Sequence, residues 1–135
     1  MNYWLVKSDP DTYGWPEMVA DKKTFWSGVR NYAARNNMKA MKKGEQVLFY
    51  HSQSDKAIVG LVEVAKEAYQ DPTTDDQAWV VVDLKVLKPL KRPVTLAEIK
   101  ATPALANIGL IKLFRLSVMP VTKEEFDTIL KMAAE

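Results

Sequence analysis

The sequence predicts an α+β fold, a strongly curved, mostly antiparallel sheet or small β-barrel flanked by short helices. Three observations lead there. Five or six β-branched and aromatic runs are separated by turn residues at spacings that suit hairpins. Two Thr-x-x-Glu capping boxes, Thr95 to Glu98 and Thr122 to Glu125, mark helix starts. With 135 residues, 47% of them hydrophobic, the chain can bury one core and is too short for two, so a single domain spanning 1–135 is expected.

The elements follow in order. Residues 3–7, YWLVK, read as a first strand that stops at SDPDTYG, a turn-rich loop in which Pro10 pushes Asp9 away from helical geometry. Pro16 and Glu17 suit the first turn of a short helix over 15–21. From Tyr32 to Met41 the apolar residues Ala34, Met38 and Met41 recur at i, i+4 and i+7, with Asn31 as the cap. QVLFYHS alternates Val47, Phe49 and His51 with Leu48, Tyr50 and Ser52, which describes a strand covered on both faces. Residues 57–69 form a long strand with Gly60 at a bulge or bend. The DPTTDD loop then leads to WVVVDLKVL, its antiparallel partner. A short helix after Thr95 and a final helix after Thr122 complete the chain.

Composition removes several classes of chemistry. There is no cysteine, which excludes a thiol nucleophile, a thiolate metal site and a disulfide framework, and suits a reducing compartment. One histidine leaves carboxylates as the remaining metal ligands, and DPTTDDQAW lacks the glycine and glutamate of a calcium loop, so no metal is expected. Five scattered glycines form neither a phosphate loop nor a dinucleotide fingerprint, so no nucleotide cofactor is expected. No run approaches the ~18 apolar residues of a membrane span and no leader pattern opens the chain, which points to a cytoplasmic protein without a membrane partner. Nineteen basic residues against seventeen acidic give a charge of +2, so any basic footprint for nucleic acid has to be local.

One group of residues does not follow a packing period. Trp26, Arg30, Asn31 and Tyr32 crowd ahead of the third-decade helix, and Lys7-Ser8 and Tyr50-His51-Ser52 stand at strand ends. Aromatic faces stack on flat heterocycles, amides and hydroxyls read hydrogen-bonding edges, and guanidinium groups meet phosphates. Ordinary packing accounts for the same residues equally well on periodicity alone, with Trp26 in the core, Asn31 as a cap and Arg30 in a surface ion pair. A hydrolase built on His51, Lys7 and Ser52 is a weaker alternative, because neighbouring side chains on a strand point to opposite faces.

The blocks YWLVKSDPDTYGW, WSGVRNYAARNNMKAM, GEQVLFYHS, IVGLVEVAKEAY, RPVTLAEIK and RLSVMPVTKEEF occur in the order that resembles the EVE domain family of the PUA-like superfamily. The resemblance runs over nearly the whole chain. It implies a PUA-like curved barrel and a reader of modified nucleobases, modified cytosine in DNA foremost, with a modified tRNA or rRNA base as the alternative. It implies no catalysis. Carried to matching positions, the nucleobase site comprises Lys7, Ser8, Trp26, Gly28, Val29, Arg30, Asn31, Tyr32, Tyr50, His51, Ser52, Arg115 and Ser117. Arg30, Arg35, Lys112 and Arg115 would hold phosphate. Two departures stand out: Asp9 replaces a frequent glutamate, and Lys112 stands where many relatives carry arginine, exchanging a planar fork for a point charge.

Overall fold

The computed structural model describes residues 1–53, 55–113 and 115–134. Among them, β1 (Tyr3–Ser8), β2 (Lys23–Phe25), β3 (Gln46–His51), β4 (Ala57–Gln70), β5 (Val80–Thr95) and β6 (Val118–Val121) form one six-stranded sheet in the order β2-β5-β4-β3-β1-β6. β1 runs parallel to β3, and the other neighbours are antiparallel. The helices are α1 (Pro10–Tyr13), α2 (Trp15–Asp21), α3 (Tyr32–Ala40), α4 (Leu96–Lys100), α5 (Gly109–Lys112) and α6 (Lys123–Ala133), with a 3-10 turn at Pro103–Leu105. The sheet is α+β and curved as expected, but open. Its edges, β2 and β6, each pair with one neighbour and not with each other, so no barrel closes.

A strand turns alternate side chains to opposite faces, and β1 and β3 use both faces for burial. Trp4, Val6, Val47 and Phe49 enter one core with Met18 of α2, Ala34 and Met38 of α3, Met41, and Trp26 and Val29 from the loop between β2 and α3. Leu5, Leu48 and Tyr50 enter the other, with Ile99, Leu105, Ile108, Phe126 and Ile129. The bulge expected in β4 lies between Ile58 and Gly60 and reverses the phase of the strand, so that Ile58 and Leu61 share a core although three positions separate them.

Gly60 has a second reason to be glycine. The Trp15 indole lies over its backbone, edge-to-face with Phe49 at 5.3 Å, and a Cβ at position 60 would run into the six-membered ring. The caps read from sequence are in place: Asn31 Oδ1 accepts from the Ala34 N–H at 3.0 Å, and Thr95 and Thr122 accept from Glu98 and Glu125. Residues 8–14, expected as a loop, contain α1 instead. Asp9 caps this single turn through the Asp11 N–H at 3.0 Å, and Pro10 sits where its missing N–H costs nothing.

Glu45 ties the start of β1 to the turn before β3. Its carboxylate accepts from the Asn2 N–H at 2.8 Å, the Trp4 indole N–H at 2.9 Å and the Lys42 N–H at 2.8 Å. Burial works to raise this carboxyl, and the N–H donors from Lys42, Trp4 and Asn2 overcome it, leaving the group below its ordinary value.

Two outcomes are expected in urea denaturation. Gly60→Ala should lose about 1–3 kcal/mol through the forced shift of Trp15. Glu45→Gln should lose about 1–3 kcal/mol near pH 7, by weakening acceptors that serve buried donors. Because the folded carboxyl is depressed, its contribution is fully present above the unfolded value of about 4.3 and is lost as pH falls through the folded value. The gap between wild type and Glu45→Gln should therefore shrink below about pH 4, and a gap independent of pH would contradict this account.

Candidate functional site

The parallel pairing of β1 with β3 obliges the chain to cross from one strand's end to the other's start, and residues 9–45 are that crossover. A cavity of about 570 Å³ opens where the crossover leaves the sheet. Lys7, Ser8 and Asp9 at the end of β1, with Thr12 and Tyr13 of α1, line one side. Thr24 and Phe25 of β2, then Trp26, Ser27, Gly28 and Val29, line another, and Ser117 closes the wall ahead of β6.

Local structure explains this wall. The Trp26 N–H donates to the Val82 carbonyl at 2.8 Å, which carries the sheet one residue past β2 and fixes the indole. Trp26 is buried within the first core, yet it also lines the cavity. Its aromatic neighbours Tyr13 and Phe49 meet it at 79° and 80°, so neither stacks parallel on the indole. Gly28 holds φ of +82°, a left-handed conformation that suits glycine and lets the backbone turn away from the cavity toward α3. On the opposite side, the Lys7 N–H donates to the Ser117 carbonyl at 2.9 Å, and the Ser8 hydroxyl donates to the Tyr13 carbonyl.

The lining carries both kinds of polar group. Burial pushes the Lys7 ammonium below its ordinary value. Burial, reinforced by the Asp21 carboxylate that accepts from the phenol at 2.7 Å, pushes Tyr13 up and keeps it a neutral donor. Phe25, 42% exposed, forms an apolar lip. An apolar, partly aromatic hollow with a few fixed donors and acceptors is suited to a flat heteroaromatic ligand.

Of the site residues expected from sequence, Lys7, Ser8, Trp26, Gly28, Val29 and Ser117 line this cavity together. Tyr50 lies in the opposite core, and burial raises its phenol. His51 faces the junction of α1 and α2, where Nε2 accepts from the Trp15 N–H at 2.9 Å and Nδ1 meets Asp55 at 2.9 Å. The Ser52 hydroxyl donates to the Ser8 carbonyl at 3.3 Å. Lys7 alone of the residues weighed for hydrolysis lines the cavity. Asn31, Lys112 and Arg115 line a second hollow beside it.

Arg30, Tyr32 and Arg35 form a layered stack with a residue that sequence reasoning overlooked, Trp79. The Arg30 guanidinium lies 5.5 Å from the Trp79 centroid, Trp79 stacks on Tyr32 at 5.0 Å, and Arg35 lies 4.8 Å from the Tyr32 centroid. Arg30 also donates to Asp71 Oδ2 at 3.1 Å, and Arg35 to the Ala78 carbonyl at 3.1 Å. These contacts fasten the tip of the β4–β5 hairpin to the start of α3. Asp71 is fully buried, and burial raises its carboxyl, but hydrogen bonds from the Thr73 hydroxyl and N–H and from Arg30 leave it lowered. The cavity's Asp9, Thr12, Tyr13, Thr24, Phe25 and Ser27 were also absent from the expected set. The adjacent aromatic pair Phe25-Trp26 was the one trace of this lip in the sequence, and only the structure shows that Phe25 is exposed on a strand of three residues. Among the described residues no helix is long and apolar enough to cross a membrane.

The chain matches the EVE domain over residues 2–132. Thymocyte nuclear protein 1 of Homo sapiens is 36% identical over 165 aligned positions, spanning 97% of this chain and 73% of that protein. Among solved structures, a protein of Rhodopseudomonas palustris determined by NMR is 48% identical with a TM-score of 0.94, covering 99% of this chain and 94% of that one. The human THYN1 protein in complex with 5-methylcytosine containing DNA superposes with a TM-score of 0.89 at 34% identity, covering 100% of this chain and 99% of that one.

Removing Asp71 with Asp71→Ala should cost about 2–3 kcal/mol in urea denaturation, since the Thr73 N–H and hydroxyl lose their acceptor. The Arg30 side chain is 41% exposed, so solvent screening limits its own coupling to Asp71. A double-mutant cycle of Arg30→Ala with Asp71→Asn should return roughly 1 kcal/mol, and a zero coupling would remove the pair from the account of hairpin anchoring.

Proposed function

This chain belongs to the EVE domain family, and from that premise we propose that it is a non-catalytic reader of a flipped or unpaired modified nucleobase, with modified cytosine in DNA as the favoured ligand. One observation on this chain supports the reading most. Lys7, Ser8, Trp26, Gly28, Val29 and Ser117, which the family resemblance draws from three separate stretches of sequence, line a single cavity of about 570 Å³. The similarity to a protein solved with 5-methylcytosine containing DNA, across the full length of this chain, supports the choice of base.

In this reading the base enters the cavity and lies against Trp26, with Phe25 at the lip. Lys7 and the polar groups of Ser27 and Ser117 meet its hydrogen-bonding edge. Arg115, Lys112, Arg30 and Arg35 lie toward the phosphates, the last two as part of the stack with Tyr32 and Trp79. Extruding a base from a duplex costs a few kcal/mol, close to what one stack and one or two hydrogen bonds return. Affinity for an unpaired base therefore exceeds that for the same base in an intact duplex. A buried methyl contributes only about 0.8 kcal/mol, roughly a fourfold preference.

Titration of single-stranded DNA and RNA oligonucleotides carrying one cytosine or 5-methylcytosine, at matched salt, tests this function. Wild type should prefer the modified DNA about fourfold or more. Lys7→Met, which keeps the apolar stem, should weaken binding about tenfold with little change in melting temperature. Trp26→Ala should weaken binding further and also lower stability, because the indole belongs to the core. Equal affinity for every cytosine form, untouched by Lys7→Met, would defeat the proposal, and tighter binding of the RNA series would redirect it to RNA.

A further inference from the structure

A second hollow, of about 320 Å³, adjoins the nucleobase cavity and is lined by Asn31, Ala33, Lys112, Leu113, Arg115 and Leu116. The two share their framework. Val29 faces the first and Asn31 the second, while Ser117 faces the first and Leu116 and Arg115 the second. Two residues of extended chain span at most about 7 Å, so the linings of the two hollows approach each other at Val29 and Asn31 to about the length of one nucleotide repeat.

Its chemistry is unlike that of the surface at large. The chain carries seventeen acidic residues, yet among the described residues no carboxylate lines this hollow, and Lys112 and Arg115 both do. The rest of the lining is largely apolar, with Leu116 half-buried and Leu113 50% exposed. Large apolar side chains left in water are few here. Two of them line these hollows, Phe25 the first and Leu113 the second. Apolar surface for a base, beside cations for a phosphate, matches a nucleotide better than a peptide or a lipid, since every base offers a π-face and every step an anion.

We infer that the second hollow seats the nucleotide adjoining the one held in the first cavity, its base against Leu113 and Leu116 and the linking phosphate between Lys112 and Arg115. This rests on the first cavity being a nucleobase site. The ligand is then a dinucleotide step, and the neighbour of the modified base contributes to recognition by stacking and charge, with modest dependence on its identity.

Calorimetric titration of the full chain separates the two readings. The probes are 5-methyldeoxycytidine, the dinucleotides that join it to thymidine in either order, and the corresponding trinucleotide. The better dinucleotide should bind at least tenfold more tightly than the nucleoside, and the third residue should add less than twofold. In Lys112→Ala/Leu113→Ala, two exposed positions, the advantage of dinucleotide over nucleoside should fall below threefold. The salt slope of dinucleotide binding should also drop by about 0.7, as expected for one lost phosphate contact on a single strand. If the nucleoside is preferred over deoxycytidine but the dinucleotide gains nothing, or if its gain survives the double substitution, the second seat is overturned while the first cavity stands. If neither nucleoside nor dinucleotide is distinguished from its unmodified form, the base-reading function falls and the second seat falls with it.

Discussion

The structure depends on a constraint at its centre: β1 is flanked by a parallel and an antiparallel neighbour and must bury both of its faces. Trp4 and Val6 commit one face to the core shared with α2 and α3, and Leu5 commits the other to the core shared with α4 and α6. A slip of one residue would exchange the two sets, so the register is strongly determined. The parallel neighbour also creates the need for a long crossover, because a two-residue turn cannot join parallel strands. The cavity is a property of that crossover. Its walls are what the chain must build in order to leave β1, pass β2 and return to β3.

The same alternation explains why contiguous motifs and assembled sites differ. In β3, Phe49 and His51 face one way and Leu48 and Tyr50 the other, so a run of three neighbouring residues cannot converge on one ligand. His51 is occupied in another way. By accepting from the Trp15 N–H it joins the end of β3 to the start of α2, and through Trp15 to the bare backbone of Gly60. Trp26 combines the two roles that sequence alone left open, since it belongs to the core and to the cavity wall at once.

Legibility followed the range of the interactions. α3 could be read because its cap and its apolar stripe are local, and the bulge at Gly60 because glycine in a long strand is a local irregularity. α1 could not, since Pro10 both disfavours helix in the residue before it and suits a first helical position, and only the packed structure decides between them. Closure of the sheet into a barrel is a relation between β2 and β6, nearly a hundred residues apart, and no local pattern encodes it. The half of the cavity that the motifs located is the half with unusual residues, Lys7, Trp26 and Gly28. Thr12, Tyr13, Thr24 and Ser27 are ordinary residues whose importance comes from where α1 and β2 put them. Trp79 and Asp71 reach Tyr32 and Arg30 across some forty positions of sequence, a pairing visible only in the fold.

The contact between Lys7 and Ser117 has a consequence for how the molecule is born. One wall of the cavity comes from the seventh residue and its closing edge from the hundred and seventeenth. A chain threaded from the ribosome at about 5–20 residues per second exposes α1, β2 and α3 long before that edge exists. The nascent chain therefore carries the aromatic wall before the edge that Ser117 supplies has been made. The cavity gains its closing edge only as β6 docks beside β1, so its shape is among the last features of the fold to form.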